Sequence, residues 1–324
     1  MITTYSEHNN FKPVDINESN LGLLADAIWV DMVSPTQVEE NWVQTDRALQ
    51  IPTQEEMREI ETSSRLYVEN GAIYMTATMV AQSLSVNPKY DAVTFVFKDN
   101  QLITIRYIEP QSFKLFSNNL LKSATMPRGA MELFISLLEA TVDRLADLLE
   151  YVGHHLDEYS TLIFQEDSSG PQKKLDYKQV MQNIGIKSNL NTKARESLVT
   201  FSRLIAYFRQ SADGRVDKDQ NLRLETLHKD LTSLSDYANF ISNKINFLLD
   251  ATLGMVSIEQ SAIIKIFSVA AVIFLPPTLI ASIYGMNFKF MPELSYKWGY
   301  ELAVLMMIVS AWLPYKFFKY KRWL

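Results

Sequence analysis

The stretch Ile266 to Phe288, IFSVAAVIFLPPTLIASIYGMNF, carries no charged side chain from end to end. At about 1.5 Å per residue, a helix of that length crosses a hydrocarbon core of roughly 30 Å. A second apolar stretch, Leu302 to Tyr315, follows a short loop, Lys289 to Glu301, whose aromatic and polar residues suit a membrane interface. The chain is therefore expected to end in a membrane hairpin. Of its 324 residues, roughly 260 precede the hairpin, enough to bury a substantial core in a soluble part.

Charge orients the hairpin. The net charge is −6, yet Lys316, Lys319, Lys321 and Arg322 crowd the last residues. By the positive-inside rule the C-terminus faces the cytoplasm, and two crossings return the N-terminal part to the same side. The expected location is a membrane, with lipid around the hairpin and both termini cytoplasmic. The start, MITTYSEHNNFK, is polar, and no secretory signal is expected there. Zero cysteines exclude a disulfide framework and thiolate metal sites.

The first third alternates strand-like and turn-like segments. Ala27 to Val33 reads as a strand that ends at Ser34-Pro35-Thr36 and feeds a helix, with Thr36 and Glu39 at capping-box spacing. Arg65 to Val68 and Ala72 to Val80 flank Glu69-Asn70-Gly71, and Ala92 to Phe97 and Leu102 to Tyr107 flank Asp99-Asn100, so two hairpins are expected. Helices elsewhere would cover this sheet. From Met131 the period becomes helical through Leu133, Leu137, Leu145, Val152 and Leu156. After a polar break, Gln165 to Lys174, a second helical segment runs through Val180, Ile184, Leu198, Leu204 and Phe208. The two read as an antiparallel pair, closed by a turn at Ser211-Ala212-Asp213-Gly214.

Next comes the most regular feature of the soluble part. Leu224, Leu227, Leu231, Leu234, Ala238, Ile241, Ile245, Leu248, Thr252 and Met255 fall at steps of three and four, with no proline before Pro276. One continuous helix from about Asn221 into the membrane is predicted, on the order of 100 Å long. Packing within the subunit is the plain reading of its upper turns. The fold class is α+β: a cytoplasmic α/β domain over 1–128, a helical stalk over 129–260 and a transmembrane hairpin with a basic tail over 261–324.

Reading back from Gly285 at helical steps selects Ser282, Thr278, Leu275, Ala271, Phe267 and Ile264, while Val269, Val272, Ile273, Leu279, Ile280 and Ile283 lie elsewhere on the helix. That stripe suits either a pore lining or close helix packing by small residues, and the pattern alone leaves both open. No carboxylate lies in the stretch, and Mg²⁺ gives up its waters reluctantly. A ring of Asn287 amides could accept hydrogen bonds from the waters of a hydrated ion. Two helices per chain cannot enclose a channel, so a pore requires an oligomer. Inward movement of a divalent ion needs no coupled fuel, because two charges gain about 4.6 kcal/mol per 100 mV, about three decades in concentration.

Tyr284-Gly285-Met286-Asn287-Phe288, followed by Met291-Pro292-Glu293-Leu294 and the ending KYKRWL, resembles the CorA family of magnesium channels. The likeness extends upstream through IEQSAIIKIFSVAAVIFLPPTL and to WVDMVSPT near the start. It implies a homopentamer with a selectivity ring of Gly285, Met286 and Asn287 and a pore lined by Thr278, Leu275, Ala271, Phe267 and Ile264. It implies Mg²⁺ as both the transported and the regulatory ion, with Co²⁺ and Ni²⁺ as further cargo candidates. Asp250 occupies the place of the family's regulatory aspartate, and Asp91 is offered as its partner carboxylate. Lys289 stands where many relatives carry an acid, leaving Glu293, with Lys297 beside it, as the clear carboxylate of the outer loop. The family also has a zinc-transporting branch, but MPEL fits the magnesium branch better and only four histidines are present.

His154, Asp157 and Glu158 share a helix face at metal-compatible spacing, for which a solvated surface is the plain reading. No nucleophile and base arrangement, phosphate loop or nucleic-acid patch stands out, so an enzyme is not expected. The competing class is a membrane-tethered sensor or scaffold without ion flux.

Overall fold

In the computed structural model, all residues are described except 84–87, 123–126, 165–175, 213, 288, 290, 322 and 324, together with the side chain of Thr62. The expected polar break at Gln165 to Lys174, Asp213 of the expected turn, Phe288 at the end of the apolar stretch and Arg322 of the basic tail lie outside the described residues. The chain divides into two compact units, Met1–Leu249 and Asp250–Leu324.

The first unit is built on one mixed sheet. Its strands are β1 (Ile2–Tyr5), β2 (Val14–Asp15), β3 (Trp29–Val33), β4 (Leu66–Glu69), β5 (Ala72–Ala81), β6 (Lys89–Lys98) and β7 (Gln101–Arg106), in the spatial order β2-β1-β3-β7-β6-β5-β4. Only the central pair, β3 with β7, is parallel. Both expected hairpins form. Asn70 (φ 50°) and Gly71 (φ 76°) close one, and Asp99 (φ 48°) and Asn100 (φ 61°) close the other. Two left-handed central residues give the turn twist that matches antiparallel strands.

The first residues are more than a polar leader. Ile2 is fully buried, and Thr3 Oγ1 donates to Asp15 Oδ1 at 2.9 Å while Thr4 Oγ1 donates to the Val14 carbonyl at 3.2 Å. Polar side chains satisfied by a neighbouring strand leave no hydrophobic run to read.

Helices cover both faces. On one side lie α1 (Gln37–Arg47), α2 (Gln54–Arg58) and the single turn α3 (Thr62–Arg65). Thr36 and Glu39 form the expected capping box at α1, and Thr53 and Glu56 repeat it at α2. The core on this face joins Val43, Leu49, Ile51 and Met57 to Val30, Met32, Val96, Ile103 and Ile105 of the strands. On the other side lie α4 (Gln111–Leu120), α5 (Ala130–Phe164) and α6 (Tyr177–Ser211). Phe95 and Phe97 of β6 meet Phe134, Phe201 and Phe208 there, with ring centroids 4.9 to 6.2 Å apart. Edge and tilted aromatic pairs of this kind add about 0.5–1.5 kcal/mol each beyond their burial. Phe134 contacts Phe208 near one end of the helix pair and Lys187 Nζ donates to Tyr151 Oη at 2.9 Å further along. The pair is therefore antiparallel, as expected.

The long helix α7 runs as one element, Lys218–Tyr284. Within the first unit Leu224, Leu227, Leu231, Ala238, Ile241, Ile245 and Leu248 are buried, so the upper stripe is packing within the subunit. Polar contacts fix its register. Arg223 forms a two-bond fork with Glu139 of α5 at 2.8 and 2.6 Å, and Asn191 Nδ2 of α6 donates to the Ala238 carbonyl at 3.0 Å and to Ser242 Oγ at 2.9 Å.

The second unit holds the rest of α7, a turn of 3-10 helix at Pro292–Ser295 and α8 (Gly299–Tyr320), which is longer at both ends than the Leu302 to Tyr315 stretch. Pro276 and Pro277 sit inside α7 and Pro314 inside α8. Both helices are long and apolar enough to cross a membrane.

Candidate functional site

The apolar part of α7 has two unlike faces. Val269 is buried and Ile273, Pro276, Pro277, Ile280 and Tyr284 are half-buried. Lys265, on the same side, holds its Nζ 5.2 Å from the ring of Trp323 beyond the end of α8. That side faces the second helix. Opposite it, Ile264, Phe267, Ala271, Leu275, Thr278 and Ser282 are all exposed, Phe267 to 71 %. The stripe derived from spacing is thus part of a wider surface that the chain's own hairpin leaves uncovered, which also takes in Ile266, Val272, Phe274, Leu279 and Ile283. Thr278 donates its hydroxyl to the Phe274 carbonyl at 2.7 Å, so its oxygen lone pairs remain on that surface.

Gly285 stands just beyond the end of α7, its N–H still donating to the Ala281 carbonyl at 2.9 Å, and Met286 N–H closes on Ile283 at 3.3 Å. Here the helix gives way to a bend, and Met286 and Asn287 are exposed at the exit. A Cβ on Gly285 would come within 3.0 Å of the Ala281 carbonyl oxygen. Glu293 is exposed in the 3-10 turn of the connecting loop. Gly299 begins α8 so close to that turn that a Cβ would meet the Glu293 carbonyl oxygen at 2.5 Å.

The two aspartates have different surroundings. Asp250 is exposed on α7. Asp91 on β6 is engaged by Arg58, whose Nε and Nη2 donate to its two oxygens at 2.9 and 2.6 Å, and by Gln54 and its own neighbour's N–H. The hydrogen bonds from Arg58, against the opposing effect of burial, hold the Asp91 carboxyl below the usual carboxylate range. Sequence reasoning had no signal for this ion pair. In the His154, Asp157 and Glu158 group, Asp157 pairs with Lys244 at 2.5 Å and Glu158 with His155 at 2.8 Å. Among the described residues no group of three or more His, Cys, Asp or Glu side chains could hold a metal ion.

Near the start, Trp29 to Met32 of the WVDMVSPT segment are core fixtures. Arg106 of β7 donates to both oxygens of Asp31 on β3 at 3.0 and 2.8 Å, Thr104 donates to Asp31 at 2.7 Å, and Trp29 Nε1 donates to Thr104 at 3.0 Å. The network ties the parallel strands together at the centre of the sheet.

A sheet covered on both faces by helices, followed by a long helix whose apolar end is the first of two membrane-length segments joined by a short loop, is the layout of a two-span membrane protein with a large N-terminal unit. Comparison with known proteins gives the family. The model of the CorA-like Mg²⁺ transporter protein family matches residues 25–322. The magnesium transport protein CorA of Yersinia pseudotuberculosis is 32 % identical over 325 residues, covering 100 % of both chains. That of Escherichia coli K12 is 31 % identical over 318 residues, covering 98 % of each. The complete structure of the CorA magnesium transporter from Methanocaldococcus jannaschii superposes with a TM-score of 0.74 at 18 % identity, covering 100 % of this chain and 98 % of that one. The chain belongs to the CorA-like Mg²⁺ transporter family.

Proposed function

We propose that this protein is a homopentameric channel through which Mg²⁺ enters the cytoplasm down the membrane potential, with Co²⁺ and Ni²⁺ as further cargo. The observation that carries the reading is the uncovered stripe Ile264, Phe267, Ala271, Leu275, Thr278, which leads to the exposed triplet Gly285, Met286, Asn287. Five copies in a ring would turn these stripes inward and leave the α8 side to lipid. Asn287 amides would then accept hydrogen bonds from the waters of a hydrated ion, and Glu293 would supply negative charge at the outer mouth. The aliphatic stripe offers few lone pairs, so a hydrated ion would pass it without losing its shell.

Regulation follows from carboxylates shared between neighbouring subunits. Cytoplasmic Mg²⁺ would bridge a site that includes Asp250, pin the α7 helices and hold the pore closed. When the ion leaves, the unscreened carboxylates repel and the ring loosens. Asp91 is a candidate partner in that site only when Arg58 releases it. The placement is an inner membrane with both termini cytoplasmic, in keeping with the lysines of the tail.

The experiment is Mg²⁺ uptake by proteoliposomes under an imposed inside-negative potential, with the oligomeric state measured by native mass spectrometry. Uptake by a pentamer that slows as internal Mg²⁺ rises supports the reading. Intact oligomers without uptake at low internal Mg²⁺ would instead support a membrane-tethered sensor or scaffold.

A further inference from the structure

A small cavity lies in the first unit where the end of β5, the start of α4, α5 and α6 converge. It offers ≈ 20 Å³ of room for the centre of a water-sized atom. Its polar lining comes from Ser83, Gln111, Ser112, Arg144 and Ser197, among others, and contains no carboxylate among the described residues. Two of these groups are stranded. Ser197 is completely buried, and among the described residues its Oγ has no hydrogen-bond partner. Arg144 Nε is buried and likewise unpaired, although Nη2 of the same guanidinium donates to Ser83 Oγ at 3.1 Å. The nearest counter-charge is Asp147, which meets Nη1 at 3.4 Å from a side chain that is itself 63 % exposed. Native interiors rarely leave such donors unmatched, which points to a missing partner.

The surroundings favour an anion as that partner. Ser83 Oγ accepts from Arg144 and so keeps its own proton free, and Ser197 can turn its O–H inward. Gln111 and Ser112 open α4 behind Pro110, which provides no side-chain cap. The Phe113 N–H is taken by the Pro110 carbonyl at 3.2 Å, while the N–H groups of Gln111 and Ser112, the two α4 residues that line the cavity, have no intrahelical acceptor at the positive end of the helix dipole. Thr141 spends its hydroxyl proton on the Leu137 carbonyl at 2.9 Å and adds no donor. The volume is that of one small atomic centre, which suits a monatomic anion.

We propose that this cavity is a binding site for a single halide ion, chloride in the cell, held by Arg144 Nε, Ser197 Oγ and the first turn of α4. The site is separate from the ion path, and its test does not depend on transport. Crystals of the full chain soaked in bromide are examined at the bromine absorption edge. One anomalous peak within about 3.5 Å of Arg144 Nε and Ser197 Oγ is expected; ordered water without anomalous signal, or an empty cavity, overturns the proposal. In solution, the thermal midpoint of the detergent-purified protein should rise by about 2 °C or more when gluconate is replaced by chloride at equal ionic strength. Ser197→Ala and Arg144→Gln should each reduce that rise. A rise that survives both variants unchanged would place the anion effect elsewhere and defeat the assignment.

Discussion

Arg58 holds Asp91 by both carboxylate oxygens, Nε to Oδ1 at 2.9 Å and Nη2 to Oδ2 at 2.6 Å, so the charge proposed for metal regulation is already neutralised within the chain. A cation at Asp91 must compete with a guanidinium. Arg58→Gln should therefore move inhibition of uptake to lower internal Mg²⁺, if Asp91 joins the regulatory site. Unchanged inhibition in Arg58→Gln and in Asp91→Asn would remove Asp91 from regulation.

The same pair gives a pH dependence. Because Arg58 lowers the folded pKa of Asp91, its stabilisation is present above the unfolded value of about 3.9 and is lost as pH falls through the lower folded value. Thermal midpoints of the native protein and Arg58→Gln should differ by a constant amount above about pH 5 and converge below about pH 4. A gap that stays constant down to pH 3 would contradict the assignment.

Asp31 and Arg106 are a buried pair with every nearby donor engaged. Replacing Arg106 by Met leaves the Asp31 carboxylate in the sheet without its partner, which is expected to cost about 3–5 kcal/mol. The check is thermal unfolding of the purified full chain. A midpoint within about 1 °C of native would show that the pair does not hold β3 to β7.

Gly153 of α5 passes so close to α7 that a Cβ would lie 2.6 Å from Tyr237 Oη. Gly153→Ala should gain little, because the better helix propensity is offset by displacing the tyrosine. In a Tyr237→Phe background the same change should stabilise by about 0.5–1 kcal/mol. Equal effects in both backgrounds would mean that the hydroxyl is not the obstacle.

Asp250 carries the regulatory proposal. Asp250→Ala should raise the internal Mg²⁺ needed for half-inhibition several-fold while uptake at low internal Mg²⁺ stays near native. Loss of uptake at all concentrations would assign Asp250 to assembly instead.

Local chemistry was readable wherever it was self-contained. Asn70-Gly71 and Asp99-Asn100 announce left-handed turns, Thr36 and Glu39 announce a helix start, and the uncharged run after Ile266 announces a membrane helix. The stripe Ile264, Phe267, Ala271, Leu275, Thr278 followed from helical period alone, and its residues are exposed; its role as a pore lining remains a proposal. What stayed hidden depends on partners distant in sequence. Thr3 and Thr4 form a strand because β2 satisfies their hydroxyls. Asn191 is buried in α6 because a carbonyl of α7 receives its amide. Asp31 meets Arg106, and Asp91 meets Arg58, without any periodicity linking them. The proposed ion path shares this limit, since it would form only between copies of the chain.

The most direct measurement compares Mg²⁺ uptake by the native protein and Asn287→Ala in liposomes under an inside-negative potential, at matched oligomer content. The account predicts potential-driven uptake in the native protein and its loss in the variant, with the oligomer intact. Equal uptake in both would contradict the Asn287 filter.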